Sequence, residues 1–249
     1  MQKINWLYQF KQYSTAVLPA LIIFGFLSIY LFFRRGYYDL YIANKVFAGT
    51  AAILLGIVLL IGPLSRSFSY PDRLLQYRKE LGIIAFFLAL IHGISSFFLL
   101  PDKFPTQQFF GSGLWPFVFG LTAIIILTGL FLISNSKAMA VFNGKLWWQL
   151  QSWGLRLGFT FIFLHVFVMK WSGWVKWYQV GGSKELVHPE WPGAGLLVGW
   201  FMAVVVLVRL AECGGPRLGR AIWQVSVVAL PIIYVVTFWW GRQLIYGSD

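Results

Sequence analysis

Charged residues in this chain fall mostly between long apolar runs, and that pattern predicts membrane-spanning helices. A helix needs about 20 apolar residues to cross the hydrocarbon core. Residues 12–33, 46–65, 81–100, 111–136 and 191–208 meet that length without an interior charge. Residues 221–240 do so around Pro231, a kink that neighbouring helices can absorb. The fifth run is irregular, because residues 157–169 are too short alone. It reaches spanning length only from near Trp147, with Arg156 inside it and snorkelling towards the headgroups. The expectation is an all-α integral membrane bundle of six to seven helices, forming one domain over residues 1–249 with an extra C-terminal helix at about 221–240.

Composition agrees with this. The chain is 59% hydrophobic and 11% charged, with a mean hydropathy of +0.72, whereas a soluble domain is about a quarter charged. Its formal net charge of +12 would suggest nucleic acid in a soluble protein. Here the basic residues flank apolar runs, so topology and lipid headgroups explain them better, and no nucleic-acid partner is expected. Seven alternating spans place twelve Lys and Arg residues on the N-terminal side and eight on the other. The excess predicts a cytoplasmic N-terminus and a C-terminus outside. The single Cys213 excludes an internal disulfide or a cysteine-ligated cluster. No cleavable signal peptide is expected, since the first run is long enough to span. The longest loop is expected at residues 170–190, and no Gly-rich fingerprint marks a flavin or NAD(P)H domain.

Two of the three histidines change the picture. His92 and His165 lie inside uncharged runs, where an ionisable side chain is costly and usually functional. His92 comes fourteen residues after Arg78 and nine before Pro101, and His165 nine after Arg156 and five before Lys170. At a rise of about 1.5 Å per residue, both fall at similar depth in the outer half of the bilayer, on helices running the same way. Two imidazoles so placed can occupy both axial positions of one haem iron. Hydrogen bonding within the bundle is the alternative for each. His188, beside Pro189 and near Glu190, is expected to be a solvated loop residue. Gly82, Ala85, Ala89 and Gly93 on the third span, and Gly154 and Gly158 on the fifth, allow close helix packing or a flat macrocycle.

The run Arg78-Lys79-Glu80-Leu81-Gly82, continuing through apolar residues to His92, resembles the first haem-binding segment of the ferric-reductase-like transmembrane family, especially its bacterial YedZ/MsrQ type. Trp147-Trp148-Gln149-Leu150-Gln151-Ser152-Trp153, with His165 twelve residues later, resembles that family's second haem-binding helix. The resemblance covers about residues 46–210. It implies a multi-pass protein of the bacterial cytoplasmic (inner) membrane that carries b-type haem and passes electrons, as in the STEAP metalloreductases and NADPH oxidases. In two-haem relatives each ligand helix bears a second histidine thirteen or fourteen residues earlier. Those places are held here by Arg78 and Ser152, neither a usual haem ligand, so one haem b is expected between His92 and His165.

Trp147, Trp148 and Trp153 then crowd the inner half, as an interfacial aromatic belt or as the surround of FMN or a quinone. Arg78 and Arg156 are candidate partners of propionates or of a flavin phosphate. Arg78 is about 21 Å of helix from His92, which suits an inner anionic cofactor or lipid headgroups, while Lys170 suits a propionate on the outer side. The leading reading is an electron-transfer subunit rather than a stand-alone enzyme. Its donor would be a cytoplasmic flavin reductase or membrane quinol, and its acceptor an extracytoplasmic redox partner protein or ferric iron. A haem-free scaffold of the same fold and a proton-relay transporter are the alternatives. Against the transporter stand the absence of acids in the apolar cores and of an internal repeat.

Overall fold

A computed structural model describes residues 6–67 and 70–247. Among these residues the fold is helical without strands, and seven helices are long and apolar enough to cross a membrane. The spanning helices are α1 (Trp6–Arg35), α2 (Leu40–Ser67), α3 (Arg78–Ile94), α5 (Leu114–Leu132), α7 (Gly144–Val180), α8 (Ala194–Ala211) and α9 (Pro216–Tyr246). Short helices α4 (Thr106–Phe110) and α6 (Ser136–Val141) sit in the connections. A 3-10 segment (Tyr70–Tyr77) leads into α3, and a π-helical segment (Ser95–Leu99) follows it. The molecule is an all-α, multi-pass membrane bundle.

The central helix is α2, which packs against α1, α3 and α8, while α5 and α7 form the other closely apposed pair. Leu54, Leu55, Val58 and Leu59 of α2 join Met202, Val205 and Val208 of α8 and Phe159 of α7 in the main buried cluster. The outer face of α9 is unlike a water-exposed surface: Val225, Val228, Ile232, Val235 and Val236 are all exposed. An apolar face of that extent is read as lipid-facing.

Several boundaries move from their expected places. The fifth span is the largest correction: α7 has 37 residues and runs on through Lys170 and Lys176 to Val180. The segment 170–180 is therefore helix, and the connection to α8 is residues 181–193. Local chemistry sets both ends of α7. Asn143 caps the start by accepting from the Leu146 N–H at 3.0 Å, and Gly181 ends it at φ 73, a conformation that glycine adopts without a Cβ clash. At about 1.5 Å per residue such a helix outruns the hydrocarbon core, so its lysines reach the interface. The third helix begins before residue 81 and takes in Glu80, which is buried. The fourth is trimmed to Leu114–Leu132, with Asn135 capping α6 through the Ala138 N–H. The seventh span forms with Pro231 inside it.

Candidate functional site

The histidine site is assembled from two helix pairs. His92 on α3 faces Asn44 of α2, with His92 Nδ1 2.9 Å from Asn44 Oδ1. The Asn44 amide donates from Nδ2 to Ser96 Oγ at 2.8 Å, which leaves Oδ1 as acceptor and makes His92 Nδ1–H the donor. His92 and Ser96 are four residues apart on one helical face, so a single buried asparagine bridges both. On the other pair, His165 Nδ1 of α7 lies 2.7 Å from the Pro116 carbonyl of α5. A carbonyl can only accept, so this nitrogen also carries the proton.

In their neutral form both rings therefore take the same tautomer, in which both Nε2 atoms keep a lone pair. Holding Nδ1–H on an oxygen is how metal-binding imidazoles are usually oriented. Depth agrees as well. Asn44 is in the first turns of α2 and Pro116 in the first turn of α5, so both rings lie near the end of the bundle away from the N-terminus. His92 is within electrostatic range of His165. Among the described residues α3 packs chiefly on α2 and α7 chiefly on α5, with no extended contact between α3 and α7.

Glycine makes room for the second ring. A Cβ on Gly120 of α5 would lie 2.9 Å from His165 Nδ1, closer than real contacts allow. Gly154 and Gly158, by contrast, face Leu130, Ile126 and Leu127 of α5, so they serve helix packing. Gly93 lies against Ile124, while a Cβ on Gly82 would meet nothing within 4 Å.

The remaining expected residues separate. Lys170 is within electrostatic range of both histidines and of Arg35 and Lys45. Lys45 Nζ stands 3.7 Å from the Tyr41 ring centroid, with Lys103 and Arg35 at 5.8 and 6.0 Å. Arg156 lies nine residues before His165, about half a turn out of phase, and lines a different cleft with α8 and α9. Its guanidinium sits over Trp153 at 4.7 Å. Arg78 opens α3 at the N-terminal end of the bundle, far along the helix from His92. Gln151, fourteen residues before His165, donates to the Leu130 carbonyl and Ser134 Oγ. Trp147 donates to the Ile133 carbonyl at 2.7 Å, whereas Trp148 and Trp153 are exposed, as residues of an aromatic belt are.

His188 differs from expectation. It lies in the connection before α8, but its ring stacks on Trp191 at 4.4 Å and its Nδ1 is 3.0 Å from Glu190 Oε1. Its backbone N–H donates to the Arg34 carbonyl, and Arg34 Nε donates to the Trp191 carbonyl. The histidine thus helps fasten the connection to the end of α1 rather than lying free in solvent.

Residues 47–157 match the model of the family described as ferric reductase like transmembrane component. This part of the chain is similar to the ferric-reductase-like transmembrane family. A comparison with curated proteins found no match. The ferric-reductase-like segment contains His92 and the Pro116 and Gly120 wall of the second ring, and ends eight residues before His165. Asn44 lies three residues before it begins.

The site chemistry suits a group that brings its own equatorial ligands. Among the described residues no cluster of three or more His, Cys, Asp or Glu is arranged to hold a bare metal ion. Two neutral imidazoles fit an iron whose other four ligands belong to a macrocycle. Asn44, Ser96, Pro116 and Gly120 were missed from sequence. For Asn44 a signal existed, an amide inside a membrane segment, but it fell two residues outside the expected span 46–65.

Proposed function

We propose that this protein is an electron-transfer subunit of the bacterial cytoplasmic membrane, holding one haem b between His92 and His165. The ferric-reductase-like match supports a transmembrane electron-transfer role. The observation that carries the finer reading is the matched tautomer: each Nδ1–H is tied to an oxygen of a neighbouring helix, which leaves both Nε2 atoms for iron. When bound, the haem supplies a centre that gains and loses one electron at a time. Asn44 and the Pro116 carbonyl would fix the two rings and raise their basicity. Lys170, with Lys45 and Arg35 near it, would offer positive charge to propionates on the outer side.

In this reading the donor is a cytoplasmic flavin reductase or membrane quinol, with FMN or a quinone in the inner half. The acceptor is an extracytoplasmic partner protein or ferric iron. With Arg78 and Ser152 at the inner ligand places, one haem per chain is the expected content. A dithionite-reduced minus oxidised spectrum of the purified protein tests this. A b-type α-band that His92→Ala and His165→Ala each abolish supports the proposal. No band, or a band that survives both replacements, refutes it.

A further inference from the structure

A cleft of about 510 Å³ opens between α7, α8 and α9 near the N-terminal end of the bundle. It lies on the face of α7 opposite to His165 and has no part in the histidine site. Its walls include Leu157, Phe159, Val206 and Leu210, and it is also lined by Arg156, Arg209, Arg220 and Glu212. Glu212 pairs with Arg209. Among the described residues, three arginines against one glutamate leave a net charge of +2 in the lining. Pro216, the first residue of α9, lines it too, so the positive end of a 31-residue helix dipole adds to the same field. Trp153, Leu157 and Leu210 at the cleft are exposed, which opens it to the surrounding bilayer.

We propose that this cleft binds the phosphate headgroup of an anionic phospholipid from the leaflet on the N-terminal side. An apolar wall with two excess guanidiniums asks for an amphiphile with a negative head. Guanidinium pairs with phosphate through two parallel hydrogen bonds, and the volume falls within the usual range of ligand sites, about 300–1,000 Å³. An uncharged quinone would fill the wall but leave Arg156 and Arg220 without a counter-charge. Stacking on Trp153 holds the Arg156 head at the cleft.

Cys213 supplies the readout, since it is the chain's single cysteine, is exposed and lines the cleft. The experiment follows maleimide labelling of Cys213 in the intact protein in dodecyl maltoside. Phosphatidylglycerol is expected to slow labelling relative to phosphatidylcholine. Oleate, anionic but without phosphate, should protect much less. Arg156→Gln and Arg220→Gln should each raise the half-protecting phosphatidylglycerol concentration about fivefold, the usual contribution of one basic residue beside an anionic lipid. Equal labelling in the two phospholipids, or equal protection by oleate, overturns the proposal using the unmodified protein alone. Equal protection by glycerol 3-phosphate overturns the lipid in favour of a soluble phosphate ester. Protection by a quinone but not by phosphatidylglycerol overturns it as well.

Discussion

At the scale of single residues, each imidazole is held by an oxygen from a neighbouring helix. Asn44 and Pro116 stand 48 and 49 positions away from their histidines in sequence. Periodicity within one segment gives no access to such pairs, which is why the histidines were legible and their partners were not. If Asn44 orients His92, Asn44→Ala should weaken haem retention by about 10–100-fold, the usual cost of losing such a partner. Haem loss to apomyoglobin measures it, and an unchanged loss rate would assign Asn44 to packing alone. Gly120 offers a complementary test. Alanine is the better helix former by about 1 kcal/mol, so Gly120→Ala should leave α5 intact. Its new methyl would press on His165 Nδ1, and overpacking of that kind costs about 1–3 kcal/mol. A drop in haem content with unchanged helical circular dichroism is the expected outcome.

At the scale of elements, apolar runs revealed seven spans because hydrocarbon imposes length and composition together. They did not reveal where helices end when polar residues remain helical at the interface. Lys170, Gly173 and Lys176 read as loop, yet α7 continues until Gly181 turns the chain. The extension matters for packing, since it brings Trp174 against Gly199 of α8, where a Cβ would lie 2.6 Å from the ring. Gly199→Leu should therefore separate α7 from α8 and destabilise the protein by about 1–3 kcal/mol. The measurement is the midpoint of thermal unfolding in detergent; a midpoint equal to that of the unmodified protein would show that the Trp174–Gly199 contact carries no weight.

At the scale of the whole molecule, an odd number of spans puts the two termini on opposite sides of the membrane. With twelve basic residues against eight, the expected orientation has the N-terminal side in the cytoplasm. Cys213, between α8 and α9, then faces the cytoplasm. A membrane-impermeant maleimide should label it in inverted vesicles and not in intact spheroplasts, and the reverse pattern would invert the topology. In the proposed electron path, that orientation decides which side donates electrons and which accepts them. The similarity of residues 47–157 to ferric-reductase-like transmembrane components underlies the proposed electron-transfer role, and the residues at the inner ligand places set the proposed complement at a single haem. The most direct measurement is haem per chain by pyridine hemochrome, on the purified protein and on its His92→Ala and His165→Ala variants. The account predicts one haem b per chain, falling to near zero in either variant. Two haems per chain, none at all, or one that persists without either histidine would contradict it.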